Sequence, residues 1–299
     1  MIIVRLKGGL GNQLFQYACG RALAHRQCTS LKLDTTWFAH PKFHYSLDRF
    51  NISATVASDL DIAITTRGPN NLRGRIDTML QMLKPYYKRR YVHERTWDFD
   101  PNILRVSKEA YLHGYWGSPK YFSNIADILR NELTLVEAMD SINCEYAQRI
   151  QNCNSVSVHI RRGDYLEVKY LKMLGVLSIE YYQRAIRFLA ARIDKPHFFI
   201  FSDDIDWCRD NIRLDYEYEF VSHNGTNADH MDLVLISLCQ HHIIANSTFS
   251  WWGAWLSNRS KMKIVIAPQK YGVDPRLNCP GFNPEDWIML EEGYVLNSV

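Results

Sequence analysis

The stretch Ser155-Val156-Ser157-Val158-His159-Ile160-Arg161-Arg162-Gly163-Asp164-Tyr165 begins as a buried strand and ends as a polar loop. Apolar and polar residues alternate through its first half, and side chains of a strand point alternately to its two faces. One face therefore carries the aliphatic residues. The other carries Ser157, His159 and Arg161, so the last two emerge together where the strand ends.

The second half of the chain alternates short β-branched or aromatic runs with helical stretches. This alternation predicts parallel β-α-β units and a doubly wound sheet covered on both faces. The predicted strands are 155–160, 197–201, 217–221, 242–245 and 263–267, and the predicted helices are 178–193, 204–212, 228–239 and 248–257.

The first half opens in the same way, with a strand at residues 2–6, a helix from about Asn12 and a strand at 31–33. A helical hairpin or lid is predicted within 53–91, where Lys88-Arg89-Arg90 forms a basic segment, and an amphipathic helix within 121–135. We therefore predict an α/β protein with two Rossmann-like, doubly wound domains facing a cleft. The N-terminal domain would span residues 1–145 and the C-terminal domain residues 146–299.

Composition narrows the class of protein. The net charge of +3 provides no dense basic stripe for nucleic acid. The seven cysteines are scattered and odd in number, which favours reduced thiols in a cytoplasmic protein over a disulfide framework or zinc site. We expect no transmembrane helix, because no apolar run is long enough, and no signal peptide, because the first strand begins at residue 2. The oligomeric state is left open.

The loop at 159–164 is the strongest chemical signal. Open α/β sheets bind ligands at the carboxyl ends of their strands, where His159 and Arg161 emerge. An arginine there can form forked, charge-assisted bonds to phosphate, Asp164 can orient it, and Gly163 permits a tight turn. The alternative is a surface pair of arginines that caps the strand.

A second signal lies in Ala245-Asn246-Ser247-Thr248-Phe249-Ser250-Trp251-Trp252-Gly253. This segment follows one predicted strand and opens a helix, so Ser247, Thr248 and Phe249 lie at a helix N-terminus. Free backbone N–H groups and the helix dipole favour an anion there. The alternative is an ordinary Ser/Thr cap ahead of an apolar helix. Two such loops at one sheet edge favour a diphosphate-bearing ligand.

A third signal is Gly8-Gly9-Leu10-Gly11-Asn12, which resembles the dinucleotide fingerprint GxGxxG, with Asp34 at a suitable distance for a ribose. However, Leu14 occupies the third glycine position. The glycines can instead let the backbone approach a substrate in the cleft, with Asn12 pointing into it.

Acidic and aromatic residues allow further hypotheses. Asp203-Asp204-Ile205-Asp206 has the Asp-x-Asp spacing of some metal-bound nucleotide-sugar sites, but the spacing recurs at 59–61 and 98–100, so we predict no metal site. Asp232 can accept from the two N–H donors of a guanine edge, or compensate a helix dipole. An aromatic cluster can form an acceptor platform or simply core: Trp97, Phe99, His113, Tyr115, Trp116, Tyr121 and Phe122.

At these motifs the chain resembles the α1,2-fucosyltransferases of bacterial and animal type, glycosyltransferase family 11. The matching segments are GGLGNQLFQY at 8–17, HGYWGSPKYF at 113–122, HIRRGDY at 159–165, SIEYYQRAI at 178–186, FSDDIDWC at 201–208 and ANSTFSWWGAWLS at 245–257. The pattern of His159, Arg161 and Asp164 is also similar to that of α1,6- and protein O-fucosyltransferases. The chain differs from the residues that are more frequent in the family at Ile179-Glu180 and at Gln269.

The resemblance implies a GT-B-like fold and an inverting, metal-independent fucosyltransferase. Its donor would be GDP-fucose, with no further cofactor, and its acceptor a galactose-terminated oligosaccharide. The predicted catalytic residues are Arg161, Asp164, Asn12 and Glu167. The resemblance implies roles for Arg161 and Asn12, whereas Glu167 and Asp164 are candidates for the general base by their chemistry. The predicted donor-binding residues are His159, Arg161, Arg162, Asp232, Asn246, Ser247, Thr248, Phe249, Ser250, Gly9 and Gly11.

Two other functions remain open at this point. An NAD-dependent oxidoreductase would use the glycine segment and Asp34. A non-catalytic sugar-nucleotide or glycan-binding module would bind GDP-fucose without releasing GDP.

Overall fold

The computed structural model describes residues 1–39, 43–67, 79–225, 227–260 and 262–295. The chain divides into two compact units. Unit 1 comprises Met1–Val136 with Pro280–Phe282, and unit 2 comprises Glu137–Cys279 with the chain from Asn283 onward. The division after Val136 lies ahead of the predicted boundary between residues 145 and 146, and a short C-terminal segment returns to unit 1.

Unit 1 contains a parallel sheet of five strands in the order β3-β2-β1-β5-β4. The strands are β1 (Ile2–Arg5), β2 (Leu31–Asp34), β3 (Thr55–Val56), β4 (Tyr91–His93) and β5 (Ala110–His113). The helices are α1 (Leu10–Arg26), α2 (Asp59–Arg67) and α3 (Ala126–Glu132). Helix α1 packs closely on the sheet because Gly20 has no side chain. A Cβ atom there would come within 2.3 Å of Val4 Cγ2.

Two predictions for unit 1 need adjustment. The helix predicted at 121–135 is helical only in α3, because the chain before it forms two short 3-10 turns separated by Phe122, whose φ of −134° and ψ of 7° are not helical. The apolar residues of that prediction, from Phe122 to Leu133, are nevertheless buried. The hairpin predicted at 53–91 includes residues 68–78, which lie outside the described residues. Its described part contains β3, α2 and a helical segment at 79–83.

Unit 2 contains a parallel sheet of six strands in the order β12-β11-β10-β6-β8-β9. Counted from β6 as the first strand, this is the order 3-2-1-4-5-6 of the Rossmann fold. The strands are β6 (Asn154–Ile160), β8 (Pro196–Ser202), β9 (Glu217–Val221), β10 (His241–Ile243), β11 (Val265–Pro268) and β12 (Ile288–Leu290), and a separate antiparallel pair joins β7 (Val176–Leu177) to β13 (Tyr294–Val295).

The two faces of this sheet carry different parts of the core. Val156, Val158 and Ile160 lie in one apolar cluster with Tyr181 and Ile186, and Phe199 and Phe201 lie in another with Leu235 and Ile236. The predicted alternation along β6 is therefore confirmed. The helices of this unit are α4 (Ser141–Gln151), α5 (Val168–Met173), α6 (Ile179–Ala190), α7 (Ile205–Asn211), α8 (Asp229–Leu238) and α9 (Thr248–Leu256).

The predicted fold class, α/β with two Rossmann-like doubly wound units, is confirmed. In the parts of the chain that the structure describes, no helix combines the length and the apolar character needed to span a bilayer.

Candidate functional site

Arg161 immediately follows β6 and is held by two carboxylates. Its Nη2 donates to Asp164 Oδ1 at 2.6 Å, and its Nη1 lies 3.2 Å from Asp203 Oδ2. Burial acts to lower the pKa of Arg161, but Asp203 and Asp164 outweigh it and hold that pKa above its ordinary value. A guanidinium has five N–H donors, so this pairing leaves donors for a further anion. The side chain is 27% exposed, which gives such an anion access.

Asp203 reaches Arg161 because of the register between neighbouring strands. Ile160 of β6 pairs with Ser202 of β8, so the residues that follow them lie side by side. Gly163 makes room for this contact, since a Cβ atom at that position would come within 2.4 Å of Asp203 Oδ2. The glycine of the loop is thus explained by the carboxylate that it accommodates.

Arg162 is held by a different set of groups. Its backbone N–H donates to Asp203 Oδ1 at 2.9 Å, and its Nε donates to Asp204 Oδ2 at 3.2 Å. Its guanidinium also lies 3.8 Å from the ring centre of Trp207. Asp204 additionally caps α7 by accepting from the N–H of Trp207. These contacts fix the course of the loop beside Arg161.

The loop after β10 lies next to the loop after β6, because these strands are neighbours at the centre of the sheet. The sheet reverses its strand order between them, and such switch points form ligand crevices. The Tyr165 hydroxyl links the two loops by donating to the Asn246 carbonyl at 3.0 Å. The Asn246 side chain donates in turn to the carbonyls of Leu174 and Gly175. Asn246 therefore anchors the loop.

The start of α9 is capped by its own side chains and carries the positive end of the helix dipole. Ser247 is the N-cap and accepts from the N–H of Phe249 at 3.3 Å, while Ser250 is buried and donates to backbone carbonyls. Thr248 hydrogen bonds to Tyr271, whose pKa burial raises to about 12. Both serine hydroxyls and the N–H of Phe249 are thus used within the loop, and the feature of the first turn that favours an anion is the helix dipole.

His159 is buried on the face of β6 that also carries Arg161. Its ring lies 5.4 Å from that of Phe249, centre to centre. Burial, followed by the charge of Arg161, lowers the pKa of His159 to about 3, so the imidazole is neutral at physiological pH. Within the described residues its Nδ1 has no hydrogen-bond partner.

Asp232, in the first turn of α8, belongs to a polar network beyond the end of β9. Its Oδ1 accepts from Asn224 Nδ2 at 2.7 Å, and Asn224 exchanges hydrogen bonds with Asn143, which also bonds to Asp140 and His223. Burial raises the pKa of Asp232 to about 7, and the charge of Asp229 adds to this effect. Two N–H donors from a ligand would therefore stabilise the ionised form of this carboxylate.

In unit 1 the glycine segment follows β1. Gly8 has a φ of +81°, a conformation that favours glycine, and a Cβ atom there would lie 2.6 Å from Asn12 Nδ2. Gly9 caps α1, and a Cβ atom at Gly9 would contact nothing within 4 Å. Gly11 and Asn12 lie in the first turn of α1, where Gly11 is buried and Asn12 half-buried.

Asp34, which an oxidoreductase would use for a ribose, is already engaged. Its carboxylate is buried and accepts from the Tyr111 hydroxyl and, at 2.9 Å, from the N–H of Thr36. These contacts disfavour the dinucleotide interpretation of the glycine segment.

The aromatic cluster divides into core and surface. Trp116, Tyr121 and Phe122 are buried, whereas Trp97 is 41% exposed and stacks on Tyr115 at 5.2 Å with an interplanar angle of 14°. Glu94 holds the turn that carries Tyr115 and Trp116, since its carboxylate accepts from the N–H groups of both residues at 2.7 Å each. Trp116 has a φ of +56°, a strained conformation for an aromatic residue that this clamp helps to maintain.

Glu167 is exposed at the residue before α5, three residues after Asp164. The aspartates with Asp-x-Asp spacing at 204 and 206 take other roles, because Asp204 binds Arg162 and Asp206 pairs with Arg209. Among the described residues, no group of three or more His, Cys, Asp or Glu side chains is arranged to hold a metal ion.

Sequence reasoning missed Asp203, Trp207 and Glu94 as parts of these sites. Asp203 directly follows the strand paired with β6, but its contact with Arg161 depends on the register between the two strands, which sequence spacing does not show. Trp207 and Glu94 each act through a contact between segments that are distant in sequence.

A sheet in the 3-2-1-4-5-6 order, with an arginine and a helix N-terminus at its switch point, is the arrangement of nucleotide-binding α/β proteins. Residues 1–290 match the profile of glycosyl transferase family 11, and the chain belongs to that family. It is therefore a glycosyltransferase.

Several characterised proteins are similar to this chain. An α-1,2-colitosyltransferase of Escherichia coli is 36% identical over 305 residues, covering 98% of this chain and 99% of the relative. The O-antigen biosynthesis glycosyltransferase WbnK of Escherichia coli is 31% identical, covering 95% and 99%. Galactoside 2-α-L-fucosyltransferase SEC1 of Bos taurus is 27% identical, covering 88% and 66%. Among solved structures, the fucosyltransferase NodZ from Bradyrhizobium has a TM-score of 0.47 at 15% identity, covering 85% of this chain and 91% of NodZ.

Proposed function

We propose that this enzyme transfers fucose from GDP-fucose to the 2-hydroxyl group of a terminal galactoside, without a metal ion and with inversion at the anomeric carbon. The observation that carries the proposal is the guanidinium of Arg161, fixed between Asp164 and Asp203 at the switch point of the unit 2 sheet. A fixed, permanently charged fork suits a diphosphate leaving group.

In this proposal residues 146–299 form the donor domain and residues 1–145 the acceptor side. The diphosphate lies between Arg161 and the first turn of α9, from Ser247 to Ser250, and Arg162 supports Arg161. Guanine donates its two N–H groups to Asp232, with His159 nearby. On the acceptor side, the segment with Gly9, Gly11 and Asn12 lets the backbone approach the substrate. The exposed stack of Trp97 on Tyr115 offers a surface for a sugar ring.

The proposed reaction is a single displacement. The acceptor oxygen forms a bond to C1 of fucose while the bond from C1 to the β-phosphate oxygen breaks, and GDP departs with the electron pair. Arg161 and the positive end of the α9 dipole stabilise the charge that grows on the β-phosphate. The hydroxyl proton passes to a carboxylate, for which Glu167 is the better candidate because Asp164 is bound to Arg161. Asn12 orients the acceptor hydroxyl.

The engagement of Asp203 and Asp204 supports metal-free transfer. In metal-dependent sites, paired aspartates hold the cation that balances the diphosphate charge. Here both carboxylates bind arginines, so the positive charge is supplied by the guanidinium groups. A cytoplasmic location is proposed as well, and the seven free cysteines are compatible with a reducing compartment.

A second donor, GDP-colitose, is favoured by one specific observation: the relative at 36% identity is named an α-1,2-colitosyltransferase. Colitose is fucose without its 3-hydroxyl group. A site that hydrogen bonds to that hydroxyl would reject colitose by about 10⁴-fold, whereas an apolar contact would discriminate only about 10- to 200-fold. The ratio of kcat/KM for the two donors therefore decides between them.

The test is a screen of donors against acceptors with EDTA present, followed by linkage analysis of the product. The proposal predicts release of GDP only when a terminal galactoside is present, and a product with an α1,2 linkage. A non-catalytic module would bind GDP-fucose and release no GDP with any galactoside. An oxidoreductase would be stabilised against thermal unfolding by NAD and not by GDP.

A further inference from the structure

We propose that unit 1 carries a binding surface for anionic lipid bilayers, formed by residues 79–90. This inference is independent of the donor and acceptor proposed above. Four of the five residues in the helical segment 79–83 are large apolar side chains that are more than half exposed: Met79 at 70%, Leu80 at 51%, Met82 at 71% and Leu83 at 82%. Single exposed apolar residues are common, but a cluster of this kind marks an interaction site.

A basic loop follows the apolar segment directly. Between residues 79 and 95 the chain has five lysines and arginines and one acidic residue, Glu94. Glu94 is half-buried, and its carboxylate accepts from the N–H groups of Tyr115 and Trp116 and is not among the exposed charges of the segment. The exposed charges of the segment, such as those of Lys84 and Lys88, are therefore all positive.

Hydrogen bonds connect the apolar segment 79–83 to the basic loop that follows it. Arg89 donates to the backbone carbonyls of Lys84 and Met82 at 3.1 Å each, and Gln81 Oε1 accepts from the N–H of Arg90 at 3.1 Å. Pro85 follows the helical segment and prevents its continuation. These bonds hold the basic residues beside the exposed methionines and leucines.

Two tyrosines complete the surface. The guanidinium of Arg95 lies 3.8 Å from the ring centre of Tyr86, and Lys88 and Arg105 each lie 5.8 Å from that of Tyr87. Apolar side chains beside lysine, arginine and tyrosine suit the boundary between the headgroups and acyl chains of an anionic leaflet. A protein partner would meet the same exposed face without requiring the positive charges, so charge complementarity favours the bilayer.

The test is co-sedimentation of the full chain with vesicles of phosphatidylglycerol and phosphatidylcholine in equal parts, and with vesicles of phosphatidylcholine alone. We expect binding to the anionic vesicles that weakens as salt rises. The Lys84→Gln/Lys88→Gln variant should lose about thirtyfold in partitioning, at about 1 kcal/mol for each basic residue. The Met82→Gln/Leu83→Gln variant should lose roughly tenfold or more, because it removes inserted apolar groups.

The matched control is Val136→Gln/Met262→Gln, which replaces two isolated side chains that are 57% and 82% exposed and should bind as wild type does. Circular dichroism and GDP binding would confirm that every variant is folded. Absence of wild-type binding to anionic vesicles at low salt would overturn the proposal, as would equal binding by the Met82→Gln/Leu83→Gln variant. A concentration-dependent dimer that this variant abolishes, without any vesicle binding, would assign the face to a second copy of the chain.

Discussion

Arg161 illustrates how a single residue acquires its properties from two loops. The side chain extends from β6, one carboxylate comes from its own loop and the other follows β8. An unrestrained arginine would lose side-chain entropy on binding a phosphate. Here that entropy is lost on folding, so the guanidinium is oriented before the ligand arrives. Such pre-orientation is the basis of electrostatic stabilisation in a transition state.

The substitution Arg161→Lys should therefore nearly abolish turnover at saturating donor. An ammonium group cannot form the forked contact, and the loss of two charge-assisted bonds at about 1.5–3 kcal/mol each corresponds to about 10²- to 10⁴-fold in rate. Arg209→Lys is the control, because Arg209 is about half exposed and pairs with Asp206 on the surface of α7. Turnover of Arg161→Lys near that of wild type would refute the assignment of Arg161.

The raised pKa of Asp232 predicts that GDP binding depends on pH. Its pKa is raised to about 7 in the free protein, and guanine N–H donors require the ionised carboxylate. Binding must therefore release a proton below pH 7, and the affinity for GDP should fall about tenfold from pH 8 to pH 6. Calorimetric titration across this range measures the effect.

The Asp232→Asn variant separates this effect from titration of the GDP phosphates, which continues in the variant. We expect the variant to show a smaller pH dependence of GDP binding than wild type. The same pH dependence in both proteins would remove Asp232 from guanine recognition.

At the scale of elements, the packing of α8 against α9 positions the helix N-terminus at the switch point. The two helices approach closely at Gly253, where a Cβ atom would lie 2.4 Å from Ile236 Cγ2. The glycine in the ANSTFSWWGAWLS segment is thus explained by helix packing, and the residues that meet the proposed diphosphate lie at the opposite end of the same helix.

Gly253→Ala should accordingly lower the melting temperature by several degrees, because overpacking a core costs about 1–3 kcal/mol. Adding Ile236→Ala should make the double variant less destabilised than the sum of the two single changes, because it creates space for the new methyl group. Gly225→Ala serves as a control, since a Cβ atom there would contact nothing within 4 Å. A Gly253→Ala protein that melts like wild type would contradict this explanation.

The elements of unit 2 were largely predictable from sequence, because buried strands and amphipathic helices alternate there with clear periods. Strand β9, for example, has the predicted bounds, Glu217–Val221. The interruption at Phe122 was not predictable, because the apolar period of its segment is helical and only the contacts of neighbouring residues break it. One such contact is the hydrogen bond from the N–H of Asp100 to the Tyr121 hydroxyl.

At the scale of the whole molecule, strand order turns separate motifs into a site. Sequence motifs identified Arg161 and Ser247 as candidates for one sheet edge, and parallel pairing of β6 with β10 makes their loops neighbours. Sequence spacing could not show that Asp203 would be the second partner of Arg161, because that depends on the register between β6 and β8. Nor could it separate the exposed Trp97 from the buried Trp116 within one aromatic cluster.

The central claim is that Arg161 binds the β-phosphate of the departing nucleotide, and calorimetric titration of GDP and GMP into wild type and Arg161→Ala tests it most directly. Wild type should bind GDP more tightly than GMP. In the variant GDP should weaken at least tenfold more than GMP, since a charge-assisted bond is worth about 1.5–3 kcal/mol. Equal weakening of both nucleotides, or GDP binding as tight as in wild type, would contradict the account.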